Sequence, residues 1–350
     1  MSRKLKIGFV GTGFMGQVAH LSNYVLLDDC EVVAIAEPRT IVANEVAKRY
    51  GIGKIYYNHH ELLEKCNVDA IVAVQPFSHH INIIPDILRA KIPVFTEKPI
   101  AVSPESGEKL AKLAEENGVL YMVGYNKRSD LAMEYAKDLI NEWKSSCEYG
   151  KMKLVRITIP PGDWLCGISG ANAVNIKEKY PEIQCESPPD YFGEEIGKEY
   201  NSFVNYYIHQ VNTMRFLFGE PYKVKYVEKT GVLMVTESES GVCGVIEMSP
   251  FSKSRGWEET ILVGFEKGYI KIELPAPLSS YPGTVTVMRD NHKDVPSLTS
   301  PVFMPVSSMK NQAKNFIAAV RGEKPAPCEA AEAAEDLRIA RDYICMKYNI

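Results

Sequence analysis

Apolar residues in the first third of the chain gather into short runs separated by amphipathic stretches, so strand and helix alternate up to about Lys127. Lys6–Val10 reads as a strand and Phe14–Leu27 as a helix without internal proline. Glu31–Ala36, Asp69–Val74, Pro93–Thr96 and Leu120–Val123 are further strands, with helices at His80–Ala90 and Pro104–Asn117. Gly118 follows the last of these as a C-cap. This alternation predicts a parallel, doubly wound sheet with helices on both faces.

Beyond Asn126 the pattern changes. Asp130–Trp143 fits a helix and Met152–Ile159 a strand with period-two alternation. Residues 160–200 are irregular and rich in Pro, Gly and aromatic side chains, and Ser202–Phe218 fits a helix. Strand-like runs then recur at Val224–Val227, Val232–Glu237, Val242–Met248, Ile261–Phe265, Tyr269–Leu274 and Thr284–Met288. Consecutive strands joined by short turns predict a large, open, mainly antiparallel sheet in an α+β second domain. Helices Ser307–Arg321 and Glu329–Tyr348 close the chain, with Pro325 and Pro327 between them. The expected organisation is a Rossmann-type domain over 1–127, an α+β domain over 128–328, and a terminal helix over 329–350 that packs back on the body.

A length of 350 residues suits two domains that each bury a core. The net charge of −4 gives no electrostatic case for nucleic acid or an anionic membrane. No apolar run approaches the roughly 20 residues needed to span a bilayer, and the first residues lack the long apolar stretch of a secretory signal. Eight cysteines without a repeated short spacing fit a reducing compartment, so a cytoplasmic location is expected. His59-His60 and His79-His80 are adjacent pairs with no evident carboxylate to complete a ligand set, so no metal is expected.

The chemistry begins at Gly11-Thr12-Gly13-Phe14-Met15-Gly16, between the first strand and the first helix. Glycines there allow a tight turn and let the backbone approach a pyrophosphate, which the helix N-terminus stabilises. Glu37 ends the second strand 21 residues beyond Gly16, near the spacing of an acid that bonds the adenosine ribose. That carboxylate favours NAD, whereas Arg39 could grip the extra phosphate of NADP.

Glu97-Lys98-Pro99 follows another apolar strand, placing an acid and an ammonium group at the sheet's carboxyl edge, where open α/β folds bind ligands. A lysine beside a cationic nicotinamide would have its pKa lowered and could bond a substrate hydroxyl or pass a proton; its peptide bond to Pro99 could be cis. Asn205, His209 and Asn212 are spaced to share a helix face, and histidine suits proton transfer near neutral pH. Asp163, Trp164 and the tyrosines around 191–207 could cover and bond a polyol. Lys253 and Arg255 could hold a phosphate.

Taken together, these residues resemble the Gfo/Idh/MocA oxidoreductases, which include glucose–fructose oxidoreductase and inositol dehydrogenase. The resemblance runs nearly the whole length. It rests on Gly11–Gly16, Glu37, Pro76 with His80, Glu97-Lys98-Pro99, Val123–Arg128, the helix bearing His209, and Gly322-Glu323-Lys324-Pro325 in the closing segment. It implies a catalytic role for Lys98 and His209. Cofactor contacts fall to Gly11, Thr12, Gly13, Phe14, Met15, Gly16, Glu37, Arg39, Gln75, Pro76, His80, Glu97, Lys98 and Asn126. Substrate contacts fall to Lys98, Arg128, Asp163, Trp164, Asn205, Tyr206 and His209. The family commonly carries acids where this chain has Asn205 and Asn212, and threonine where it has Gln75. An amide cannot act as a base, so His209 works with Lys98 alone or a tyrosine such as Tyr206 or Tyr207 assists.

The expected function is an NAD-dependent (alternatively NADP-dependent) oxidoreductase acting on a ring carbon of a sugar, sugar phosphate, aminosugar or cyclitol. Two other readings stay open: a lyase or hydrolase acting through transient sugar oxidation, and an NAD-binding regulator without turnover. Lys98 and His209 are expected to face one another across a cleft. Apolar residues at consecutive positions in Val232–Val235 and Val242–Ile246 suggest two sheet faces that need cover, hence a homodimer or homotetramer.

Overall fold

A computed structural model describes residues 3–167, 173–248 and 256–350, and the chain divides into two compact units. The first comprises Met1–Tyr125, Ile168–Asn205 and Gln312–Leu337, and the second Asn126–Gly167, Tyr206–Asn311 and Arg338–Ile350. The division at 127/128 and 328/329 read from the sequence is contiguous. The compact units interleave along the chain.

The first unit holds a six-stranded parallel sheet: β1 (Leu5–Val10), β2 (Cys30–Ala36), β3 (Lys54–Tyr56), β4 (Ala70–Ala73), β5 (Val94–Glu97) and β6 (Tyr121–Gly124). Its order, β3-β2-β1-β4-β5-β6, reverses between β1 and β4. The near-continuous apolar strands are buried on both faces, as parallel sheets require. A π-helical turn, Gly16–Leu21, leads into α1 (Ser22–Tyr24), so the first helix ends earlier than its apolar pattern suggests. The remaining connections are α2 (Thr40–Tyr50), α3 (His59–Lys65), α4 (His80–Arg89) and α5 (Pro104–Asn117). Asn58 and Ser103 cap α3 and α5 through their side chains, and Gly118 ends α5 at φ +63°. Ile7, Phe9, Val72 and Phe95 form the core together with Phe316 and Ile317.

The second unit carries β7 (Met152–Thr158), β8 (Tyr222–Val227), β9 (Leu233–Ser238), β10 (Cys243–Glu247), β11 (Glu259–Phe265), β12 (Gly268–Leu274), β13 (Thr284–Arg289) and the short β14 (Ser297–Thr299). They form one sheet ordered β14-β13-β12-β11-β7-β10-β9-β8, antiparallel except between β7 and β10. The period-two pattern puts Ile261, Val263, Ile270 and Ile272 on the covered face, each burial worth about 1.5–3 kcal/mol. The helices α6 (Leu131–Ser146) and α8 (Ile208–Phe218) cover that face. Gly244 permits the approach of α8, since a Cβ there would stand 2.8 Å from Phe218.

The helix expected over 202–218 is in fact two. The helix α7 (Gly193–Tyr206) begins inside the stretch read as irregular, and α8 starts after Tyr207. Polar and aromatic residues crowd 200–207 without a glycine or proline to mark the break. Two further helices close the chain, α9 (Ser308–Val320) and α10 (Ala330–Tyr348). Among the described residues, no helix is long and apolar enough to cross a membrane.

On the other face of the second sheet, register places Tyr226, Val235, Val245, Arg156 and Leu262 in one row across five strands. Tyr226 is 53% exposed and Val235, Val245 and Leu262 are half-buried, an apolar row interrupted by exposed Arg156. Self-association through this face is expected, and light scattering should give a multiple of 39.2 kDa at micromolar protein. A mass of 39.2 kDa would refute it.

Candidate dinucleotide site and further polar clusters

The carboxyl edge of the first sheet, at the β1/β4 switch point, is where an open α/β fold offers a crevice. Gly11 has φ +87°, and a Cβ on it would lie 2.5 Å from the Val74 carbonyl oxygen. A Cβ on Gly16 would come within 2.8 Å of the Gly11 oxygen. Both glycines are therefore demanded by close backbone approach. Gly13 differs, because its missing Cβ would meet nothing within 4 Å, leaving open space beside the turn. Phe14 and Met15 are half-buried behind it.

Thr12 and Glu37 are fully buried. Glu37 accepts from the Thr12 amide (3.0 Å) and hydroxyl (3.1 Å), and from Arg39 Nε (2.8 Å) and Nη2 (3.0 Å). Burial pushes the Glu37 carboxyl up, but the bonds from Arg39 and Thr12 outweigh it and hold the pKa below its ordinary value. The acid expected on a ribose thus spends its oxygens on the glycine turn and on Arg39. The Arg39 guanidinium lies 4.8 Å from the centre of the Tyr180 ring.

A cavity of about 310 Å³ opens here, lined by Gly11, Pro38, Gln75 and His79 among others. Gln75 is 7% exposed, and neither end of its amide is paired with a described residue. Pro76 is exposed beside it. His80 is buried, with Nδ1 2.9 Å from the Ile100 carbonyl, and burial lowers its pKa to about 4, so it is neutral at pH 7. It braces the loop after Lys98 and does not line the cavity.

Glu97 ends β5 and meets His20 Nε2 at 2.6 Å. Burial pushes the Glu97 carboxyl up, and the His20 bond, with Lys98 nearby, brings it below its ordinary value. The Lys98–Pro99 bond is cis. Lys98 Nζ donates to the backbone carbonyl of Asn205, near the C-terminus of α7, where carbonyls lack partners in their own helix. Asn205 itself is exposed, and its backbone, not its amide, meets the lysine.

In the second unit, Asn126 Nδ2 donates to Ser308 Oγ (2.9 Å). Arg128 is buried and binds Asn212 through Nε to Oδ1 (2.5 Å). His209 is half-buried on the first turn of α8. Tyr207 donates to the Met248 carbonyl (3.1 Å), and burial pushes its phenol up to about 12 and that of Tyr206 upward too. Neither tyrosine is a base near neutral pH. Asp163 accepts the Leu165 amide (3.1 Å) in a local turn, and Trp164 is 39% exposed. Lys253 and Arg255 lie outside the described residues.

Sequence reasoning missed three features. Lys127 donates to Glu259, which also accepts Gln210 Nε2 (2.9 Å), all three buried. The signal was present, because Glu259 heads the inward set Glu259, Ile261, Val263, Phe265, and an inward acid needs a buried partner. The course of residues 173–186 along the first sheet's edge had no signal in residue type. Asp86 supplies the carboxylate that His59 and His60 lacked in sequence, the three ligand atoms lying within 4.8 Å. Arg89 already bonds Asp86 Oδ1 (3.2 Å), and the α3 N-terminus disfavours a cation, so this cluster is a poor metal site.

The turn, the edge and the orphaned Gln75 amide fit a dinucleotide. Residues 5–125 match the GFO_IDH_MocA family, described as an oxidoreductase family with an NAD-binding Rossmann fold. Residues 5–125 thus match the NAD-binding Rossmann domain of that family. Myo-inositol 2-dehydrogenase of Thermotoga maritima is 28% identical over 166 residues, covering 46% of this chain and 48% of that protein. Scyllo-inositol 2-dehydrogenase (NAD+) of Bacillus subtilis is 30% identical over 142 residues, covering 40% and 41%. The matches thus span less than half the length of these curated relatives. An oxidoreductase from Agrobacterium radiobacter, solved with NAD+, L-tartaric acid and magnesium, has a TM-score of 0.71 at 15% identity, covering 99% of this chain and 97% of that one. At that identity the likeness shows the fold.

The Glu37 carboxylate gives a pH-dependent test. A carboxyl whose folded pKa lies below the ordinary 4.5 contributes stability above pH 4.5 and loses it as the pH falls through the folded value. Glu37→Gln leaves Arg39 and Thr12 poorly matched and should cost about 1–3 kcal/mol near pH 7. Urea midpoints of the two proteins should converge below pH 4.5; a gap constant from pH 7 to pH 3 would contradict this role.

Proposed function

We propose that the chain is an NAD-dependent dehydrogenase or reductase that exchanges hydride with a ring carbon of a cyclitol or sugar. The observation that carries the reading is one edge of the first unit bearing three features. They are an open glycine turn, a buried Gln75 amide without a partner, and the Lys98 ammonium after β5. The inositol dehydrogenases among the relatives support the substrate class.

Gly11–Gly16 would hold the pyrophosphate, and Gln75 and the cavity beside it the adenosine end. When bound, the nicotinamide supplies the hydride exchange. The chain's own residues handle the proton. Lys98, its ammonium held by the Asn205 carbonyl and its backbone amide by Glu97, donates to the reacting oxygen and favours its anionic form. His209 takes or returns the proton. Tyr206 and Tyr207 contribute hydrogen bonds only, their phenols being raised.

Arg39 shapes cofactor choice. Its charge is matched by the buried Glu37 carboxylate and its plane is covered by Tyr180, which leaves little for a 2′-phosphate. NAD is the favoured cofactor. Calorimetry should show tighter binding of NAD than NADP, and Glu37→Ala should narrow the gap by releasing Arg39. Tighter NADP binding by the wild type would reverse the assignment.

Turnover is tested by absorbance of reduced nicotinamide with myo-inositol, scyllo-inositol and simple sugars. Lys98→Ala and His209→Ala should each lower the rate by about 10²–10⁴-fold while NAD affinity changes little. A fully active His209→Ala protein would sink the mechanism. NAD binding with no turnover on any polyol would favour a cofactor-binding regulator.

A further inference from the structure

Residues 173–186 follow the carboxyl edge of the first unit's sheet and are fastened at both ends of the dinucleotide crevice. At one end, the Val174 amide donates to Gln17 Oε1 (2.7 Å), and Gln17 Nε2 returns a bond to the Val174 carbonyl (3.3 Å). Glu178 Oε2 then accepts the amides of Ile41 (2.9 Å) and Val42 (3.0 Å), in the first turn of α2. At the other end, Glu186 accepts the amides of Val102 (2.9 Å) and Ser103 (3.0 Å) and the Ser103 hydroxyl (2.7 Å), just before α5. Two carboxylates thus sit at two helix N-termini, where amides lack partners and negative charge is favoured.

Between these fastenings the segment becomes a wall. Tyr180 and Ile183 line the 310 Å³ cavity opposite Gly11 and Gln75, and Tyr180 covers Arg39. Asn82 holds the Gln184 carbonyl at 2.6 Å on the far rim. The pocket lies beyond β2 and β4, on the adenosine side of the switch point, and Tyr180, Pro181 and Ile183 add to it a wall from a segment outside the glycine-turn half of the fold.

We propose that residues 173–186 complete the adenosine subsite as a strap, with Tyr180 as its principal contact, and that this strap makes release of the dinucleotide the slow step of each turnover. This rests on the reading of the first unit as an NAD site. In this proposal a ligand leaving on the adenosine side passes Tyr180 and Ile183, and the Glu178 and Glu186 bonds resist the movement of the segment that carries them. Release is therefore slowed by the strap and not by the strength of cofactor contacts alone.

The test follows NADH release directly. Protein loaded with NADH is mixed with excess NAD, and the loss of bound-NADH fluorescence is recorded. The wild-type release rate is expected to equal its turnover number, release being the slow step. Glu178→Ala combined with Glu186→Ala should accelerate release by at least about tenfold, the effect of losing about 1.4 kcal/mol. Tyr180→Ala, which leaves both fastenings intact, should also accelerate release, with an unchanged urea midpoint. Protection of 173–186 from hydrogen exchange should rise on NAD addition in the wild type and not in the double variant. Equal release rates in all three proteins, with NADH bound by each, would overturn the strap alone. Absence of NADH binding to the wild type would overturn the NAD site itself, and the strap with it.

Discussion

A carboxylate with no solvent around it organises the first unit. Glu37 closes β2, and buried acids persist only when fully bonded. The bonds available come from Thr12, in the turn after β1, and from Arg39, at the start of α2. Satisfying one acid therefore fixes the glycine turn, locks the ends of the neighbouring strands β1 and β2 to each other and sets the direction of a guanidinium. The Tyr180 contact follows from that fixed guanidinium, because an aromatic face packs on a cation whose plane is already held. In the proposed site the acid would act on a cofactor through the shape it imposes.

The second unit repeats the logic with a different set. Glu259 faces inward on β11 and is met by Lys127 and Gln210. Asp130 is also inward, and burial raises its carboxyl to about 6, although the Gly283 and Ala132 amides pull the other way. Lys127, Arg128 and Asp130 sit within four consecutive residues and tie the chain after β6 to β11, to α8 and to the loop before β13. One short segment thus anchors three elements of the antiparallel unit.

Most of the parallel sheet was legible because apolar runs and glycine spacing carry local, periodic information. Gly11, Gly16, Gly118 and the strands around them needed no knowledge of distant partners. The same holds for the Lys98 position, which follows from being just past an apolar strand. What could not be read depends on contacts between residues far apart in sequence. Glu178 and Glu186 look like ordinary charges in a polar stretch until α2 and α5 are placed beside them. The Tyr207 break was hidden because no helix-breaking residue marks it, and Asp86 was not associated with His59-His60 for want of the α3–α4 packing. Glu37 was located from its spacing, but its partners were not, since ribose and Thr12 ask for the same residue type.

The two asparagines replacing the expected acids need different explanations. At 212 the side-chain oxygen accepts from Arg128, and both residues are buried. An aspartate there would be locked into an ion pair with that guanidinium, its pKa driven down, and would serve no better as a proton acceptor than the amide does. The amide keeps the hydrogen bond and avoids desolvating a full charge, a substitution that costs the proton chemistry nothing. At 205 the side chain is exposed and the backbone carbonyl meets Lys98, an interaction any residue type would supply. A lysine held by a carbonyl also differs from one held by a carboxylate. The carbonyl brings no negative charge to the ammonium, although the Glu97 carboxylate lies near it. In the proposed reaction this makes Lys98 an electrostatic partner of the reacting oxygen, and leaves the proton itself to His209.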